Sequence, residues 1–182
     1  MKKILCYLSI AVFGWLCSSC FLWTKGPNAY EDEICDAVTF HLAEADYIIE
    51  IASNPFAGIF LGDDFFGSLF SKGLEKMESA FNDLYVNTDM SYVEILESVS
   101  QDETSDFQKQ AEDILIHYNQ INISLSDYEQ VSRRSREKSW IFTELHSGVE
   151  FIFTLEKDQS GQTVFSVTPV DNSIQDYVLN SL

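Results

Sequence analysis

Hydrophobic and polar residues alternate strictly over one segment near the carboxyl end of the chain. Every second residue from 149 to 155 is apolar, and the positions between them include Glu150 and Thr154. This period of two is typical of a strand with one buried face. We therefore expect Phe151 and Phe153 to face the core and Glu150 to face away from it.

The segments around this strand predict its neighbours in a sheet. Residues 139–146 are rich in aromatic and β-branched residues, and they end at the turn signal Ser147-Gly148. Residues 157–162 have the composition of a hairpin loop, and residues 163–169 return as a strand. Residues 120–131 also alternate, so the sequence predicts about four strands.

A helical period replaces the alternation in the first part of the chain. Residues 30–53 carry apolar residues at spacings of three, four and seven, and the first turn is acidic, where the helix dipole favours negative charge. The apolar stripe comprises Ile34, Val38, Ala45, Ile48, Ile49 and Ala52.

Similar stripes predict shorter helices at residues 68–85, 91–99, 106–118 and 173–182. The residues expected to point inward from the first of these are Leu69, Leu74, Met77, Phe81 and Leu84. Helices followed by strands form an α+β order. We expect N-terminal helices packed on one face of a bent antiparallel sheet of about four strands.

This order of elements over residues 30–170 resembles the NTF2-like and cystatin-like cone folds, which are frequent in small exported lipoproteins. The resemblance rests on element order, with no diagnostic motif. It implies a pocket between sheet and helices that is catalytic, ligand-binding or filled. Fold alone therefore assigns no activity.

Residues 56–70 combine five phenylalanines with three glycines and Asp63-Asp64. The glycines do not fit a phosphate-binding pattern. Either the rings complete the core or they form an exposed patch for a partner, a ligand or the membrane. We favour the core, with Phe60 and Phe66 largely inaccessible, because five aromatic rings exposed together would promote aggregation.

The amino terminus has the pattern of an export signal. Lys2 and Lys3 precede an apolar run of 13 residues, 4–16, and Cys17-Ser18-Ser19-Cys20 follows. Small residues ahead of Cys20 resemble the lipobox of bacterial lipoprotein signal peptides, with Cys17 in place of the usual leucine. The resemblance implies that Cys20 is lipidated, at the end of a signal peptide or membrane-targeting segment of residues 1–20. Residues 21–29 are then a linker, and residues 30–182 form a single domain.

Two alternatives to lipidation remain open. Residues 4–23 are 20 uncharged residues, enough at ~1.5 Å per residue for an uncleaved anchor across ~30 Å of hydrocarbon. Ordinary cleavage would instead release a soluble exported protein. Lipidation and both alternatives place Lys2 and Lys3 on the cytoplasmic side and the domain outside the cytoplasm. We expect a membrane-attached protein of the bacterial cell envelope, with its domain facing the periplasm or the exterior.

Charge narrows the choice of partners. The chain has 29 acidic residues against 11 lysines and arginines, a net charge of −18. Such a chain is repelled by phosphate backbones, so we expect no nucleic-acid partner. Four basic residues cluster in what we predict to be an exposed connection between strands: Arg133, Arg134, Arg136 and Lys138.

No catalytic or cofactor-binding motif is present in the sequence. His41 and Glu44 lie three apart on a predicted helix, but one such pair is too little for a bundle metal site. Cys35 is expected to be a small buried residue on that helix. We expect no metal or cofactor, and no catalytic residue is assigned.

Two hypotheses for the function follow. The first is a non-catalytic lipoprotein that binds a small-molecule ligand or a protein partner, and aromatic rings filling the space between sheet and helices would favour it. The second is an enzyme using that space as a pocket. Clustering of His117, His146 or Tyr128 with buried carboxylates in a deep polar cavity would favour the second.

Overall fold

Helices come first along the chain and a sheet follows. The structure is a computed structural model that describes residues 27–53, 74–88, 90–134, 139–157, 163–170 and 172–182. Two compact units, Met1–Glu31 and Asp32–Leu182, are distinguished. Of the first, the described part is a short 3-10 helix, Pro27–Tyr30, and the start of the first α-helix.

Five α-helices and four strands are formed by the described residues. The helices are α1 Glu31–Ser53, α2 Leu74–Asn87, α3 Tyr92–Gln101, α4 Gln108–Tyr118 and α5 Ser173–Ser181. The strands are β1 Tyr128–Arg134, β2 Ser139–Glu144, β3 Glu150–Lys157 and β4 Thr163–Pro169. The predicted α+β class, with most helices before the sheet, is confirmed.

The sheet is antiparallel throughout, in the order β1-β2-β3-β4. Phe153 lies opposite Trp140 on one side and Val167 on the other. Phe151 and Phe153 are both 0% exposed, as the alternation predicted. Because side chains on neighbouring strands share a face at these positions, the buried rings form one continuous apolar surface.

The helices cover this apolar surface with aromatic side chains of their own. On α1, Phe40 stacks on Tyr92 with ring centroids 4.4 Å apart and meets Phe81 edge-on at 5.8 Å. His41 lies 6.2 Å from the ring of Phe151. All five side chains are buried, so helices and sheet share one core.

A single carboxylate, that of Asp36 on α1, joins three helices. It accepts hydrogen bonds from the backbone N–H groups of Tyr92 at 2.7 Å and Val93 at 3.2 Å, at the first turn of α3. It also accepts one from the hydroxyl of Tyr118, at the end of α4, at 2.7 Å. The first N–H groups of a helix have no partner within it, so a carboxylate there is stabilising.

The predicted strand at residues 120–131 is partly wrong. Ile121 and Ile123 are half-buried between exposed neighbours, but the strand begins only at Tyr128. Ser124 and Asp127 explain the difference, because the Asp127 carboxylate accepts a hydrogen bond from the Ser124 N–H at 2.7 Å. This reciprocal cap forms a short 3-10 helix, Leu125–Asp127, and turns the chain before the sheet.

Two further predictions need correction. Leu84 is 38% exposed, because the buried face of α2 runs through Met77 and Phe81 toward Tyr85, which stacks on Tyr92. Arg133 and Arg134 lie within β1, opposite β2, and not in a connection. The rest of the basic cluster, the phenylalanine-rich segment 56–70 and the hairpin loop at 158–162 lie outside the described residues.

Candidate functional site: a cleft beside the C-terminal helix

A cleft of about 240 Å³ lies where four separate segments meet. These segments are α1, the connection between α4 and β1, the turn between β2 and β3, and α5. The lining residues are Leu42, Asp46, Ile121, Asn122, Ile123, Glu144, His146, Ser147 and Tyr177. The cleft is smaller than the roughly 300–1,000 Å³ of pockets that hold drug-sized ligands.

Packing of α5 against α1 places Tyr177 in the cleft. Val178, at 0% exposure, packs with Ala45 and Ile48 of α1, and Ile174 and Tyr177 flank this contact. The predicted helix at residues 173–182 is confirmed as Ser173–Ser181. Because the two helices meet at Ala45, the next residue of α1, Asp46, lies beside Tyr177.

Tyr177 and Asp46 are joined by a hydrogen bond. The tyrosine hydroxyl donates to Asp46 Oδ1 at 2.9 Å. Burial, reinforced by this bond and the nearby carboxylates, raises the pKa of Tyr177 to about 12. The hydroxyl is therefore protonated at neutral pH, and its hydrogen bond orients the Asp46 carboxylate. Among the described residues, no side chain or loop N–H donates to Asp46 Oδ2.

Glu144 forms the wall of the cleft at the turn between β2 and β3. One carboxylate oxygen accepts from the backbone N–H of His146 at 2.9 Å, and the other accepts from the N–H and hydroxyl of Ser147 at 2.7 and 2.5 Å. Gly148 completes the turn with φ of 73° and donates its N–H to the Glu144 carbonyl at 2.8 Å. This buried carboxylate therefore holds the turn in shape.

The remaining lining residues are mostly apolar. Leu42, Ile121 and Ile123 are buried or half-buried, while Asn122 is exposed. His146 is also exposed at the rim, with Nε2 at 3.8 Å from Asp127 Oδ1. Among the described residues, the lining contains two carboxylates and neither lysine nor arginine. The cleft thus combines apolar walls with negative charge.

His41 and Glu44, the candidate metal pair from the sequence, are both buried on α1. His41 donates an Nε2–H bond to the carbonyl of Val167 on β4, at 3.4 Å. Burial lowers the pKa of His41 to about 4, so the ring is neutral at pH 7. No group of three or more histidine, cysteine or acidic side chains within the described residues is arranged to hold a metal ion.

The other candidates named from the sequence have separate surroundings. His117 Nε2 lies 2.9 Å from a carboxylate oxygen of Glu50, while Tyr128 packs edge-on against Phe153. Burial raises the pKa of Tyr128, whose hydroxyl has no hydrogen-bond partner among the described residues. Cys35 is half-buried on α1, less than expected. Cys20 lies outside the described residues.

Asp46, Glu144 and Tyr177 were not among the candidate site residues predicted from the sequence. Tyr177 lies in the predicted helix at residues 173–182, and nothing in the sequence pointed to its hydroxyl as part of a site. Asp46 and Glu144 are two among 29 acidic residues, and nothing local distinguishes them. Their role depends on segments that meet only in the folded chain.

Comparisons with protein-family models, with curated proteins and with solved structures found no match to this chain. The likeness of the element order to NTF2-like and cystatin-like folds therefore stays a prediction. Among the helices described, none has both the length and the hydropathy to cross a membrane.

Proposed function

We propose that this protein is an exported lipoprotein of the bacterial cell envelope, anchored through Cys20, that binds a small ligand without catalysing a reaction. The observation that carries the binding function is the cleft beside α5. Four segments contribute to it, and its apolar walls surround an oriented carboxylate, that of Asp46. Apolar walls with a few placed polar groups are typical of ligand sites.

Binding has more support than catalysis because the buried carboxylate and the tyrosine hydroxyl of the cleft are already engaged, and His146 lies exposed at its rim. Glu144 accepts three hydrogen bonds from its own turn, and the Tyr177 hydroxyl donates to Asp46. A general acid or base must instead be free to exchange its proton with a substrate. The space between α1 and the sheet, where a cone fold would hold a catalytic pocket, is occupied by Phe40, His41 and Phe151.

The anchor is tested by metabolic labelling with a fatty-acid probe. Cys20 follows an apolar run and two small residues, so the wild-type chain is expected to incorporate the probe and Cys20→Ala is not. Cys17→Ala is the matched control and should label like the wild type. Equal labelling of wild type and Cys20→Ala would contradict the lipid anchor, and the uncleaved anchor or soluble export would then be preferred.

The binding function is tested by protein-detected NMR of the full-length chain with a library of small cationic, anionic and neutral compounds. At least one compound is expected to shift the backbone amides of His146 and Ser147, which line the cleft. Asn122→Trp should abolish these shifts, because Asn122 is exposed in the lining and the indole would fill the space.

Asn119→Trp is the matched control, since Asn119 is also exposed but does not line the cleft. This variant should bind like the wild type. If no compound of any charge shifts the cleft amides, or if both tryptophan variants bind normally, the cleft is not a ligand site.

A further inference from the structure

We infer that the ligand of the cleft is a small organic ammonium ion, an amine carried on a short apolar body. This inference rests on the binding function proposed above and adds the chemical class of the ligand. It follows from three features of the cleft: the carboxylate oxygen of Asp46 that is available to a donor, the charge of the lining, and the size and apolar character of the walls.

Asp46 provides the first argument, because only one of its carboxylate oxygens is engaged. Oδ1 accepts from the Tyr177 hydroxyl at 2.9 Å, and Oδ2 has no side-chain or loop donor among the described residues. The tyrosine holds the carboxylate in place, so an incoming N–H donor meets a group that is already oriented. Charge-assisted bonds to such carboxylates are among the strongest in proteins.

The negative charge around Asp46 favours a positively charged ligand. Glu144 is 1% exposed and lies in the same lining as Asp46, and no lysine or arginine of the described part of the chain lines the cleft. The histidine there, His146, is mostly exposed at the rim. Walls of low dielectric concentrate the field of the two carboxylates. An anionic ligand would therefore be repelled by the cleft and by the chain's net charge of −18.

The walls of the cleft favour a ligand with a small apolar part. Leu42, Ile121 and Ile123 offer apolar contacts to the ligand, and Tyr177 lies in the same lining. The volume of about 240 Å³ corresponds to roughly eight waters at ~30 Å³ each, enough for a short chain or one ring. A bare metal ion fits poorly, because Ca²⁺ takes about six to eight oxygen ligands and Glu144 is already used by its turn.

The test compares four probes on the full-length chain by NMR titration at pH 7: n-butylammonium, n-butanol, butyrate and Ca²⁺. The first three have nearly the same shape and differ in charge. n-Butylammonium is expected to shift the cleft amides with an affinity about tenfold or more above that of n-butanol. Butyrate and Ca²⁺ are expected to leave these amides unchanged at the same concentrations.

Asp46→Asn should weaken n-butylammonium binding by roughly 10- to 100-fold. The amide oxygen can still accept the Tyr177 bond, so the wall is kept while the charge is lost. Asp32→Asn, at an exposed position on the same helix, changes the net charge equally and should bind like the wild type.

Each outcome separates this inference from the function on which it rests. Binding of n-butanol, butyrate or Ca²⁺ at the cleft as tightly as n-butylammonium would overturn the ammonium class and leave the binding function standing. Equal affinities of Asp46→Asn and Asp32→Asn would also overturn it. If none of the four probes and no library compound shifts the cleft amides, the binding function fails as well.

Discussion

Replacing Phe153 by alanine is expected to lower the free energy of unfolding by about 3–5 kcal/mol. The side chain is 0% exposed and lies at the centre of an aromatic group. It stacks on Phe142 at 4.6 Å, with Tyr128 and Phe165 each at 6.2 Å. Truncation would remove these contacts and leave a cavity, because neighbours held by three other strands relax only in part.

Phe151→Ala is expected to cost a similar amount, since this ring is also fully buried. Glu150→Ala is the control on the opposite face of the same strand and should cost less than about 0.5 kcal/mol. Urea denaturation of the three variants beside the wild type measures all of these values. Similar losses for all three would contradict the register of β3 and the face assigned to it.

Acidification is expected to destabilise the protein through His41. Burial lowers the pKa of His41 to about 4 in the folded chain, below the ordinary value of 6.5. As the pH falls below about 6.5, the unfolded chain takes up the proton first, which favours unfolding. The contribution is thus fully present above pH 6.5 and is lost progressively toward pH 4. At ~1.4 kcal/mol per pKa unit, the loss is about 3 kcal/mol.

The measurement is the free energy of unfolding between pH 7 and 4 for wild type and His41→Gln. Glutamine can still donate an N–H to the Val167 carbonyl but does not titrate, so its profile should be flatter by about 3 kcal/mol. Carboxylates common to wild type and variant cancel in the comparison. Parallel profiles for wild type and His41→Gln would show that His41 is not the group responsible.

The elements that could be predicted are those whose burial follows a local period. Phe151 and Phe153 alternate with polar residues, and Ile34, Val38 and Ala45 recur at helical spacing, so their buried faces were evident before folding was considered. Ile121 and Ile123 show the limit of this reasoning. They alternate in burial, but Ser124 and Asp127 turn the chain there, so the alternation did not imply strand pairing.

The candidate site could not be predicted from the sequence because its residues are far apart along the chain. The bond between Tyr177 and Asp46 spans 131 positions, and that between Asp36 and Tyr92 spans 56. Each carboxylate looks like any other acidic residue on a helix until its partner is known. Periodicity identifies which face of an element is buried, but not which polar group of another element it meets.

At Gly148, in the turn that follows Glu144, the backbone conformation and not the available space determines which residues are tolerated. A Cβ atom added at Gly148 would meet nothing within 4 Å, yet φ there is +73°. An L-residue is strained at that angle, whereas its mirror image is not. The turn that forms this wall of the cleft thus depends on glycine at position 148, the amino acid without a chiral Cα. A D-alanine at position 148 would fit the fold and would also restrict the unfolded chain, whereas L-alanine would bring strain without any collision.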